Sequence, residues 1–208
     1  MISRRWYEGL RTQQATIHPT LASAVWPSGK TGALLRDAIL AVLGSALLWA
    51  SAKIQIPFYP VPMTMQTFVV IALGMVYGWR SGAATLALYL VEGAFGLLVF
   101  AGTSEKGIGL TYIAGPTGGY LIGFLLAAAV CGWLAQRGWD RSVAKTAAAM
   151  LVGNIFIYVP GLLWLGTLVG WDKPVLEWGL TPFLLGDLTK LALAAAILPA
   201  TWKLVRRS

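Results

Sequence analysis

Ionisable residues are rare in the apolar parts of this sequence, and three stand out: Asp187 and Lys190 in PFLLGDLTKLALA, and Glu92 in ALYLVEGAFG. A charge placed in a membrane-spanning segment is costly and by default functional. Asp187 and Lys190 are three positions apart, so on a helix they share a face and can meet each other or one common ligand. One reading is a mutual ion pair that fixes helix packing. The other is a ligand site, in which the ammonium holds a carboxylate or carbonyl oxygen and the carboxylate accepts N–H groups. Glu92 reads equally as a protonated, packed carboxyl or as a functional one. Gln66, Asn154 and Tyr158 are further polar residues in apolar surroundings, and Asn154 and Tyr158 share a helix face at four-residue spacing. Each can bond a neighbouring helix or a ligand. The run GPTGGY, ending at Tyr120, offers backbone N–H groups as a nest for an anion or carbonyl. Alternatively it makes a tight turn, with Gly119 and Gly123 allowing close helix packing.

Other chemistries lack their residues. His18 is the single histidine and precedes a proline, so neither an HExxH metal site nor a Ser-His-Asp triad can be assembled. SGKT at 28–31 matches the end of a phosphate-binding loop, but Ala24 stands where the first glycine is required. Cys131 is the single cysteine, which excludes an internal disulfide or a thiolate metal site. No cofactor is therefore expected. The net charge of +8 comes from basic residues lying between apolar blocks, which points to membrane topology rather than to nucleic acid.

The elements that must position these residues are membrane helices. The 208 residues are 57% hydrophobic and 12% charged, against about 25% charged in soluble domains. Apolar blocks at 38–56, 64–78, 82–100, 117–135, 147–169 and 182–200 predict an all-α integral membrane protein of six transmembrane helices. They form one domain over 34–208, after a cytoplasmic N-terminal tail at 1–33. Sorting lysines and arginines by side places 12 with the termini and 3 opposite, with Lys190 inside a span, so both termini are expected in the cytoplasm. Trp79, Trp133, Trp139, Trp171, Trp178 and Trp202 fall near span ends, where indoles sit at headgroup level. Trp6 and Tyr7, beside arginines, suit a tail lying on the inner leaflet or a disordered one. The second block rises only about 22 Å, short of the roughly 30 Å hydrocarbon core. Pro57, Pro60 and Pro62 break any helix before it, and non-helical backbone at that depth must line a cavity or be buried. Residues 53–63 are therefore expected to form an ordered outer loop dipping into an outward-facing cavity, toward which Asp187 and Lys190 lie.

Five runs, IQIPFYPVPMTMQTF, LYLVEGAFGLLVFAG, GPTGGYLIGF, GNIFIYVPGLLWL and TPFLLGDLTKLALAA, together resemble BioY, the biotin-specific S component of energy-coupling factor (ECF) transporters. The resemblance covers residues 50–196 in the family's order. It implies a six-helix S-component fold with an ordered L1 loop in a prokaryotic inner membrane. It further implies a non-enzymatic subunit that captures biotin for uptake, and partners comprising a T component with two cytoplasmic ATPases. Carried over by residue, it implies substrate contacts by Asp187, Lys190 and Gln66, with Asn154, Tyr158 and Tyr120 in or near the pocket. It also implies that small residues on the first helix, here Ala46 and Ala50, pack against the T component. This chain departs from the family pattern at Val42, where a small residue is usual, at Leu98, where GLLVF stands for GLPVF, and at Glu92.

Two other readings fit the bare chemistry. A secondary transporter of a small vitamin would use Asp187 or Glu92 to carry a proton, although residues 38–100 and 117–200 show no internal repeat. A membrane enzyme acting on lipids would have only Asp187 with Lys190 to work with. The docking expectation separates them. Ala46→Trp or Ala50→Trp should abolish uptake yet spare biotin binding, because a bulky ring holds off a helix that small residues let approach. Parallel uptake and binding assays on one variant test this, and joint loss of both favours a stand-alone transporter.

Overall fold

The computed structural model describes residues 18–102 and 107–205. In chain order they form α1 (Leu21–Val25), α2 (Lys30–Lys53), β1 (Gln55–Ile56), β2 (Met63–Thr64), α3 (Gln66–Tyr77), α4 (Trp79–Ala94), α5 (Leu110–Ile113), α6 (Gly118–Ala135), α7 (Val143–Val169), α8 (Val175–Gly179) and α9 (Leu184–Val205). Single 3-10 turns at Trp139–Arg141 and Thr181–Phe183 precede α7 and α9.

Among the described residues, four stretches are long and apolar enough to cross a membrane: Gly32–Lys53, Gly118–Ala135, Val143–Val169 and Val175–Val205. The two remaining apolar blocks give shorter helices, α3 with 12 residues and α4 with 16. The block at 82–100 stops being helical at Ala94, earlier than its apolarity suggests. Gly96, at φ 91°, turns the chain and donates its N–H to Gly93 O. The Phe100 ring then folds back onto the bare Cα of Gly93. Hydropathy sees only an uninterrupted apolar run there.

Short α3 lies at the centre and packs on α2, α4, α6, α7 and α9. Around it α2, α4, α6, α7 and α9 follow one another, each packed on the next. An apolar cleft with Leu40, Phe68, Ala72, Ala194 and Leu198 in its walls separates the ends of that series, α2 and α9. The most extensive packing, between α6 and α7, depends on glycine. A Cβ at Gly123 would lie 2.7 Å from the Ile157 Cα, and Gly119 packs on Pro160 and Trp164. Lipid tails are as apolar as leucine, so such backbone proximity, rather than exclusion of water, holds membrane helices together. Cys131 joins the seam, its thiol 3.3 Å from the Ala149 carbonyl.

At one end of the bundle the turns into α4 and α7 meet the N-terminal segment. His18 N–H donates to Gln136 O at 2.8 Å, Thr20 caps α1 through Ser23 N at 3.2 Å, and Leu21 is buried. The described part of the segment expected to be a tail is thus packed on the bundle, and α2 begins inside it at Lys30. Pro27 and Gly29 lie just before that start, and nothing between Lys30 and Asp37 breaks a helix. Trp6 and Tyr7 lie outside the described residues. Among the tryptophans placed at span ends, Trp79, Trp133 and Trp171 are exposed, whereas Trp202 is buried. Its indole N–H is taken by the buried carboxylate of Asp140, which lies between α6 and α7. Burial holds that carboxyl above the usual range, against the opposing pull of the Trp202 N–H. At the other end lie the β1–β2 hairpin, the connection into α6, and α8.

Gly123→Val should force α6 and α7 apart and lower the melting temperature of the detergent-solubilised protein, the overpacking costing about 1–3 kcal/mol. Gly32→Ala, where a Cβ meets only the Ser28 Cβ at an ordinary 3.6 Å, should not lower it.

Candidate functional site

Short α3 leaves depth to be filled, and the hairpin fills it. Gln55 pairs with Thr64 and Ile56 with Met63. The proline-rich tip between them bends back so that Val61 is buried and Pro62 and Thr64 reach a cavity above the start of α3. That cavity is narrow, about 50 Å³. Its polar wall comprises Gln66 and Thr67 from the first turn of α3, Thr117 and Tyr120 at the start of α6, Tyr158 of α7, and Asp187 and Lys190 of α9. Leu121, Phe124, Ile157 and Phe183 supply its apolar wall.

The helix spacing seen in the sequence becomes an actual pair: Lys190 Nζ lies 3.1 Å from Asp187 Oδ1, and both residues are 6% exposed. A buried pair is stable only when its remaining hydrogen-bond capacity is met. Here Lys190 Nζ also donates to Thr67 Oγ1 at 2.8 Å, and that hydroxyl in turn lies 3.4 Å from Asp187 Oδ1. Tyr158 donates its hydroxyl to the other carboxylate oxygen. Among the described residues the lysine thus uses two of its three N–H donors. The carboxylate, with about four acceptor sites, receives three contacts.

Gln66 is buried in the floor. Its Nε2 donates to the Tyr89 hydroxyl at 2.7 Å, and Tyr89 donates onward to the Val99 carbonyl at 2.8 Å. Tyr120 contributes its ring, set edge-on to Tyr158 at 6.2 Å, while its hydroxyl donates to Gly179 O at 2.8 Å and secures α8. Five of the residues singled out in the sequence, Asp187, Lys190, Gln66, Tyr158 and Tyr120, therefore converge here. Asn154 does not join them: it is half-buried one turn before Tyr158 and forms no part of the cavity wall. Four residues advance a helix by 400°, so the two faces differ by about 40°, enough to turn Asn154 away. Within GPTGGY, Thr117 reaches the cavity, but Gly118 and Gly119 are occupied by close packing on α7 and the preceding turn. Glu92 lies elsewhere, accepting the Ser45 hydroxyl and joining α4 to α2. Ala46 and Ala50 are exposed along α2.

Thr67 was not singled out, because a threonine in an apolar helix is cheap and usually bonds its own backbone. Its position beside Gln66, in a helix too short to span, was the available signal. Phe183 is likewise one apolar residue among many until the 3-10 turn at Thr181–Phe183 aims it across the cavity.

The quartet yields a stability prediction. Lys190→Met and Asp187→Leu should each destabilise by about 3–5 kcal/mol, because each strands the opposite charge. The double variant should melt higher than either single one, as measured by thermal unfolding in detergent.

Comparison with known proteins places this architecture. The BioY family model matches residues 19–207. A probable biotin transporter BioY of Pyrococcus horikoshii is 37% identical over 162 residues, 78% of this chain and 93% of its own length. A biotin transporter BioY of Thermotoga maritima is 40% identical over 163 residues, 78% of this chain and 94% of its own. The crystal structure of the S-component for biotin from an ECF-type ABC transporter superposes with a TM-score of 0.68 at 22% identity, covering 85% of this chain and 95% of that one, and so shares its fold. With a family match that runs from the first described helix to the last, this multi-pass membrane protein belongs to the BioY family.

Proposed function

We propose that this chain is the substrate-capture subunit of an ECF-type transporter and takes up biotin. The observation that carries the reading is the Asp187–Lys190 pair, held by Thr67 and Tyr158 in a cavity wall of a BioY-family chain. Biotin presents ureido N–H and C=O groups, an apolar thioether ring and a carboxylate. Asp187 is suited to accept the N–H groups, and the free donor of Lys190 is suited to an oxygen. Leu121, Phe124, Ile157 and Phe183 suit the ring, since small-molecule sites combine an apolar lining with a few placed polar groups.

At about 50 Å³ the cavity is smaller than biotin, so entry requires Val61 and Pro62 to withdraw with the hairpin. In this reading α2, α3, α4, α6, α7 and α9 are the six membrane helices of a prokaryotic inner-membrane protein, with the two shorter ones completed by loops. The hairpin is the outer L1 loop. The end that gathers Arg36, Arg80, Arg137, Arg141, Lys145 and Lys203 faces the cytoplasm, following the positive-inside rule. Exposed Ala46 and Ala50 on α2 are then available to a T component, whose two ATPases drive release inward. The chain itself catalyses nothing and needs no cofactor for capture.

Titration calorimetry on the isolated chain should show biotin binding without nucleotide, metal or partner subunits. The paired variant Asp187→Leu with Lys190→Met should remain folded and lose binding. Retained binding by that variant would reduce the pair to a packing device, and absence of binding by the parent chain would refute capture by this subunit alone.

A further inference from the structure

Away from the cavity, glycine packing between α3, α4 and α6 builds a further concave feature. Gly78, at φ 85°, turns the chain from α3 into α4, and Gly132 of α6 lies so close that a Cβ there would stand 2.6 Å from the Gly78 carbonyl carbon. This approach sets Trp79, the first residue of α4, beside Trp133, near the end of α6. An apolar cleft of about 420 Å³ lies between them, with Ala129 and Val130 in its wall. Each indole carries a guanidinium: Arg80 lies 5.1 Å from the Trp79 ring centre and Arg137 3.2 Å from that of Trp133. Both arginines and both tryptophans are exposed. Among the described residues neither guanidinium has a carboxylate within 4 Å, although Arg36 and Lys190 each do.

We propose that this cleft is a binding site for an anionic phospholipid, with the phosphate between Arg80 and Arg137 and an acyl chain between the two indoles. The chain belongs to the membrane, so the outer surface of α4 and α6 meets lipid. Water gains nothing by filling an apolar cleft, whereas an acyl chain does. Indoles sit naturally at the level where chain gives way to headgroup. Stacking leaves the N–H edges of a guanidinium free, and two such forks match phosphate oxygens. Basic pockets between membrane helices recognise anionic headgroups on the same physical grounds. The site is independent of biotin capture: none of its residues lines the cavity at Asp187.

The test is native mass spectrometry of the detergent-purified chain with phosphatidylglycerol and phosphatidylcholine of identical acyl chains in competition. The parent protein should retain phosphatidylglycerol preferentially. Arg80→Gln with Arg137→Gln should reduce that preference about tenfold or more while leaving biotin titration unchanged. A control of equal charge change, Lys145→Gln with Lys203→Gln, also at exposed positions, should keep it. Equal retention of both lipids by the parent, or equal loss of preference in the control, would overturn the proposal. Full displacement by inorganic phosphate would also overturn it, because the acyl cleft would then contribute nothing. If the arginine variant changes oligomeric state instead of lipid retention, the occupant is a second copy of the chain and the lipid site is refuted.

Discussion

Twelve residues of α3 rise about 18 Å, some 12 Å less than the hydrocarbon core of a bilayer. The helix at the centre of the bundle is therefore too short for the environment that surrounds it, and the other features of the site answer that deficit. Backbone above its first turn cannot stay unpaired at that depth, so it closes into a hairpin whose strands satisfy each other. The first turn itself, with Gln66 and Thr67, becomes the floor of a cavity rather than a buried stretch of wall. A full-length helix in this position would have filled the space in which the polar residues of α6, α7 and α9 meet.

Those polar residues stay buried because each satisfies another. Either charge alone would be left uncompensated in such surroundings. Together, with a threonine that accepts from one and faces the other and a tyrosine that donates to the carboxylate, they form a network drawn from three helices. Among the described residues the arrangement leaves one ammonium donor unused, which is the spare valence the proposed ligand reading draws on. The two readings of the pair drawn from the sequence are thus compatible in geometry: a charge pair that packs helices can also present its spare valences to a ligand.

The ionisable and amide residues of the site were legible because polarity in an apolar block is rare and costly. Apolar blocks likewise located all six of the longer helices. Hydropathy could not register where a helix stops inside an apolar run, since that depends on Gly93 and Gly96 accepting a ring and a turn. Nor could it register the buried partnership of Trp202 with Asp140, two residues 62 positions apart in the chain. Asn154 shows the limit of helical periodicity: sharing a face with Tyr158 brings a residue near a cavity without turning it inward. Thr67 shows the converse, since its role arises only when α9 is packed against α3.

The hairpin is attached unequally at its two sides. On the α2 side its own pairing extends one residue, with Met65 N–H donating to Ile54 O at 3.0 Å, and the adjacent Lys53 ammonium grips the Phe100 carbonyl at 2.8 Å. On the α9 side its contacts are between side chains, with Phe58 edge-on to Phe183 at 6.3 Å and Met63 against Gly186. An aromatic contact of this kind contributes about 0.5–1.5 kcal/mol beyond its buried area. Side-chain contacts of this kind can part without breaking a backbone hydrogen bond. The hairpin thus meets the α9 side, where Asp187 and Lys190 are carried, through contacts that cost no backbone pairing to undo.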